Sequence, residues 1–184
     1  MVPIGGVDKA RELLVKTLDH GKCREALKQL FSKIAEVTGF SASHTDVLDL
    51  FDSIRSQTGG GGILVDISMS QLNDNLPERG RVDQQPSGGG GLSSYFYTSS
   101  GQRQRWSAVW LRGAYSNSPK LAFDRLPFAY ALTLIHELAH NAPSDASQMG
   151  RVYEHEEMDA AAVELGSTNF DQYVREHCIP QKYW

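Results

Sequence analysis

The chain of 184 residues is poor in cysteine, with only Cys23 and Cys178 and no CxxC pair, so the sequence does not suggest a metal knuckle built on thiolates. Two readings remain for the pair. Either they are independent buried thiols, or one bridge ties the N-terminal helices to the C-terminal tail. A bridge would point to an oxidising compartment, secreted or periplasmic. Long apolar runs are also lacking, and none reaches the roughly 20 residues of a membrane-spanning helix. The first six residues have neither a basic n-region nor an apolar h-region, so no signal peptide is expected in this chain. Positive charge is in deficit, with 18 Lys and Arg against 22 Asp and Glu and a net charge of −4. Phosphate binding needs a concentrated basic surface. The only local excess, Arg103, Arg105 and Arg112, reads as a solvated strand face, so no nucleic-acid partner is expected.

The remaining composition is that of an ordinary globular domain, with 40% hydrophobic and 22% charged residues. Apolar spacing divides a single domain, 1–184, into three parts. The first, 1–58, is helical. Leu13, Leu14 and Leu18 mark one helix. Ala26, Leu27, Leu30, Phe31, Ile34, Ala35 and Val37 mark a second, which Gly39 stops. Val47, Leu48, Leu50, Phe51 and Ile54 mark a third, with Ser43 and Thr45 as candidate caps. The second part, 59–126, reads as a small sheet with a Gly-rich surface loop over 73–91. Segments 92–98 and 105–111 look like a hairpin joined by Ser99, Ser100 and Gly101. The third part, 127–184, returns to helix over 128–140, 154–165 and 169–177, with Pro127 at a first helical position. The expected fold class is therefore α+β, with helical layers around a small, mostly antiparallel sheet.

The chemistry is concentrated in His136-Glu137-Leu138-Ala139-His140. Histidines at i and i+4 share one helix face, so their imidazoles can converge on one metal ion about 2.0–2.1 Å from each nitrogen. Glu137 projects to the side of that face. It is too far round to be a ligand, yet close enough to take a proton from a zinc-bound water whose pKa is lowered toward about 7. Leu132, Leu134, Ile135, Leu138 and Ala139 surround these polar groups. Two His and a Glu inside such an apolar run cost stability unless they are paired or metal-bound.

On these residues the sequence resembles the zincin superfamily of metallopeptidases, specifically over 133–141 and more weakly over 153–162. The resemblance implies a zincin-like fold, a Zn2+ cofactor, and an HExxH helix beneath a small sheet whose edge pairs with an extended peptide or protein substrate. A hydrolytic zinc site takes three protein ligands and leaves one position open. The metzincin pattern would need Gly and His or Asp where this chain has Pro143 and Ala146, and Asp145 is one position out of register. In thermolysin-like zincins a Glu on the second helix binds zinc and an Asp one turn later holds the first histidine. His155 and Asp159 have that spacing, so His155 is the favoured third ligand. Glu156, Glu157, Asp145 and Asp159 stay open as alternatives, and Asp159 is also a candidate partner for a ligating imidazole. Tyr153 is a candidate for stabilising an oxyanion, or else a packing residue beside the helix. His20, His44 and His177 have no ligand spacing.

The function expected from the residues and the resemblance is a zinc metallopeptidase with Glu137 as general base. A zinc-binding module without turnover, toxin-associated or with a binding role, and an amidase on a non-peptide substrate are the alternatives.

Overall fold

Among the described residues the apolar spacings become six α-helices: α1 Val7–Leu18, α2 Cys23–Val37, α3 Val47–Arg55, α4 Leu126–His140, α5 His155–Glu164 and α6 Phe170–Cys178, followed by a 3-10 turn at Gln181–Tyr183. The computed structural model describes residues 7–39, 45–55, 62–65, 91–97, 103–109, 126–140 and 155–183. All six helices contribute to one buried cluster. Helix α1 contributes Ala10, Leu14 and Leu18, which recur every fourth residue and therefore share one face. Helix α2 buries Cys23, Ala26, Leu27, Leu30, Phe31, Ile34 and Ala35. On α4, Ala131, Leu134, Ile135, Leu138 and Ala139 are fully buried. Each Leu or Ile hidden in this way contributes about 1.5–3 kcal/mol relative to exposure. That packing, more than intrinsic propensity, fixes α4 and so fixes the motif it carries.

The ends of these helices are set by named groups. Asp46 precedes α3, and its Oδ1 accepts from the backbone N–H of Leu48 at 3.0 Å and of Asp49 at 3.4 Å. The cap is thus Asp46. The expectation of Ser43 or Thr45 is corrected for Thr45, one residue too early, while Ser43 lies outside the described residues. The other Asp46 oxygen accepts from Arg24 Nε at 2.8 Å and ties α3 to α2. Burial raises the Asp46 pKa, but the Arg24 contact and the two backbone N–H groups outweigh it and hold the carboxyl below its ordinary value. Helix α5 ends in a Schellman turn. Ser167 N–H donates to the Ala162 carbonyl and Gly166 N–H to that of Val163, both at 3.0 Å. Gly166 has φ +89°, a conformation that a side chain would strain. The chain leaves this turn directly into α6, where the Asn169 side chain accepts from Gln172 N–H as N-cap.

A disulfide joins Cys23, at the start of α2, to Cys178, at the end of α6, with Cα atoms 4.5 Å apart and a sequence separation of 155. Both residues are fully buried. Tyr173 adds a second tie between the same helices through its hydroxyl, which donates to the Ala26 carbonyl at 3.3 Å.

The expected α+β class is corrected. Where packing is described the protein is helical, and every member of the described core lies on a helix. The short extended backbones at Gly62–Val65 (β1), Gly91–Tyr97 (β2) and Arg103–Val109 (β3) run in the order β1-β3-β2. The β1-β3 pairing is parallel and the β2-β3 pairing antiparallel. The framework of the described core is the helices rather than a sheet enclosed by helical layers. The physical reason is that the helices bury apolar residues on one another in a single cluster, which makes up the described core. Of the Gly-rich loop expected over 73–91, residues 73–90 lie outside the described residues, and Gly91 is corrected to the first residue of β2, where it pairs with Val109.

Candidate metal centre

Helix α4 presents His136 and His140 one turn apart, and α5 begins with His155. The three imidazoles form a nearly equilateral triangle. Ring centroids are 5.0 Å apart for His136–His140, 5.0 Å for His136–His155 and 4.8 Å for His140–His155. One nitrogen from each lies within 4.8 Å of the others, a group that could hold a metal ion.

The tautomer of His136 follows from its partners. Its Nδ1 lies 2.9 Å from Asp171 Oδ1. A carboxylate only accepts, so Nδ1 carries the hydrogen and donates it. In the neutral ring Nε2 is then left with its lone pair. That atom faces His155 Nε2 at 3.1 Å. Two nitrogens about 2.0–2.1 Å from a tetrahedral ion are roughly 3.3 Å apart, so this pair is already close to ligand spacing. The other separations are wider but all lie within 4.8 Å. Three neutral imidazoles suit zinc, copper, iron or nickel, so the donor set admits a metal without naming it.

Electrostatics at His136 reflect the same contact. Burial disfavours the protonated ring, but the hydrogen bond and charge of Asp171, with smaller contributions from Glu137 and Asp159, hold its pKa above the ordinary histidine value. Asp171 shows the reciprocal effect. Burial raises its pKa, yet His136 first, then Arg175 and His155, keep the carboxyl below its ordinary value. A carboxylate behind a ligating imidazole fixes the ring and raises its basicity.

Asp171 reaches His136 because α6 starts where it does. Asp159, on α5, accepts the backbone N–H of Phe170 at 2.8 Å. Phe170 opens α6, and an N–H in a first helical turn has no partner within the helix. Its ring is fully buried and meets His136 edge-on at 5.4 Å. The next residue is Asp171. Asp159 therefore stitches the helix start, and Asp171 grips the imidazole. From the sequence Asp159 is the candidate partner of a ligating imidazole, whereas the structure gives that place to Asp171. The available signal was an acidic residue in the first turn of a capped helix, which is common and carries no metal information by itself.

Above His136 and His155 opens a cavity of about 410 Å³, walled by Met158, Asp159, Asn169, Asp171, Gln172 and Arg175. No family model matches the chain, and the searches found no similar curated protein or solved structure.

The other residues weighed from the sequence are placed as follows. Glu137 lies next to His136 on α4 and is 5% exposed. Glu156 and Glu157 sit in the first turn of α5, outside the three-residue donor group found among the described residues. Tyr153, Asp145 and His44 lie outside the described residues. His177 donates from Nδ1 to the Tyr173 carbonyl at 2.8 Å and stacks on the Tyr173 ring, while His20 is exposed. Among the described residues no helix is long and apolar enough to cross a membrane.

Proposed function

We propose that the protein is a zinc-dependent hydrolase acting on peptides or proteins, with His136, His140 and His155 as ligands and Glu137 as general base. The convergence of the three imidazoles, with one tautomer fixed by Asp171, is the observation that carries this reading. Three protein ligands leave a tetrahedral ion one open position, the composition of catalytic rather than structural zinc sites. A bound zinc ion would acidify a water and polarise a carbonyl. Glu137 follows the first histidine, with the spacing of zincin peptidases. Its carboxylate accepts the proton of the attacking water and passes it to the leaving amine. The adjoining cavity falls within the range of ligand pockets, about 300–1,000 Å³.

A metal-binding module without turnover is the second reading. It is favoured by the burial of Glu137, because a general base must reach its water and this side chain is almost covered. Glu137→Gln separates the two. The amide is nearly isosteric and cannot accept the proton. Zinc content should stay unchanged while hydrolysis falls by roughly 10²–10⁴. Turnover within a few-fold of wild type would remove Glu137 from the chemistry. A zinc-loaded wild type that cleaves nothing in a broad peptide and simple-amide library would establish the module reading.

A further inference from the structure

The cavity beside the histidines contains a cation that neither the ligand set nor the proposed proton transfers use. Arg175 lies one turn after Asp171 on α6, is exposed, and lines the cavity with His136 and His155. Among the described residues its guanidinium has no ion pair and no side-chain hydrogen bond. The neighbouring carboxylates make their hydrogen bonds elsewhere, Asp159 to the Phe170 N–H and Asp171 to the His136 imidazole, and the Arg175 charge acts on Asp171 without a direct ion pair. The remaining polar walls are also engaged. Gln172 donates from Nε2 to Glu176 at 2.6 Å, and Asn169 caps α6. Arg175 is thus the one Lys or Arg side chain among the described cavity walls.

We propose that Arg175 anchors a carboxylate of the substrate, so that the site selects compounds carrying a carboxylate close to the scissile amide. A guanidinium presents paired N–H donors in a planar fork that matches a carboxylate bidentately. A cavity of about 410 Å³ is at the small end of ligand pockets, so a group held by Arg175 lies near anything held at the histidines. The carboxylate can be the C-terminus of a peptide or an acidic side chain beside the scissile bond. This inference rests on reading the cavity as a substrate site, and its test reads binding alone.

Zinc-loaded full-length protein is titrated calorimetrically with three probes: N-acetyl-phenylalanine, its carboxamide, and the α-amide of N-acetyl-aspartate. At least one acid should bind about 10–100-fold more tightly than the carboxamide, the worth of a hydrogen-bonded charged group. Preference for N-acetyl-phenylalanine assigns a terminal carboxylate, and preference for the aspartate compound assigns a side chain. Arg175→Gln should abolish the preference with zinc content unchanged, and Arg175→Lys should keep part of it because the charge survives without the fork. Equal binding of acids and amide, or no binding, overturns the proposal. So does a preference that persists in Arg175→Gln, because the metal would then be taking the carboxylate. A failed Glu137→Gln experiment leaves this outcome untouched, so the two readings fail separately.

Discussion

Replacing Asp171 with Asn keeps an acceptor oxygen near His136 Nδ1 and removes the negative charge behind the ring. The contact is 2.9 Å, and the Asp171 side chain is 53% exposed, so the fold should tolerate the change. Loss of a carboxylate behind a ligating imidazole typically costs 10–100-fold in metal affinity, about 1.4–2.7 kcal/mol. The lower half of that range is expected here, because solvent screens a half-exposed carboxylate and Asn still orients the ring. The pH dependence supplies a second readout. In metal-free protein the raised pKa of His136 adds stability that is complete below the ordinary value of 6.5 and is lost as pH rises through the raised one. Zinc needs the unprotonated ring, so zinc affinity should fall as pH drops through that raised pKa. In Asp171→Asn the fall should begin at lower pH. Competition against a chromogenic chelator across pH 5–8 measures both effects. An affinity within two-fold of wild type, with an unmoved pH midpoint, would refute the argument that Asp171 supports the ligand.

Asp46→Ala should destabilise the fold by about 1 kcal/mol through loss of the α3 cap alone, measured by urea unfolding at pH 7. The Asp46 pKa is depressed, so its contribution is present above the ordinary carboxyl value and is lost as pH falls through the folded one; the wild-type and variant curves should therefore converge in acid. Replacing Cys23 and Cys178 together by Ser should cost about 2–5 kcal/mol, since the bridge spans a sequence separation of 155 and both half-cystines are buried. Denaturation with and without reductant gives the value, and no change on reduction of the wild type would contradict the bridge. Phe170→Ala should cost about 3–5 kcal/mol as a fully buried aromatic. It should also weaken zinc binding, because the ring packs against His136.

The parts of the site legible in the sequence are those set by local spacing. His136 and His140 share a helix face by periodicity alone, and the apolar run around them marks α4. His155 was singled out through a spacing borrowed from a resemblance, with Glu156, Glu157, Asp145 and Asp159 open beside it. The structure brings His155 rather than Glu156 or Glu157 to the other two imidazoles. Asp171 was not legible because it lies 35 residues from His136. Its approach depends on the turn at Gly166 and on Asp159 receiving the Phe170 N–H, and neither leaves a periodic signal. The α+β reading failed for a related reason. Alternating stretches such as 92–98 signal extended backbone but do not say which elements supply the core. Among the described residues the core is supplied by α1, α2, α3, α4, α5 and α6. The cap expected at Ser43 or Thr45 falls instead on Asp46, one residue beyond Thr45, because helix boundaries are not fixed by apolar spacing alone.

X-ray absorption on protein loaded with one equivalent of zinc tests the central claim most directly, paired with the same measurement on His155→Ala. The account predicts three imidazole nitrogens about 2.0–2.1 Å from the metal in wild type and two in the variant, with zinc affinity reduced by more than 100-fold. A wild-type spectrum with two imidazoles, or a His155→Ala protein that keeps the wild-type spectrum and affinity, would contradict it.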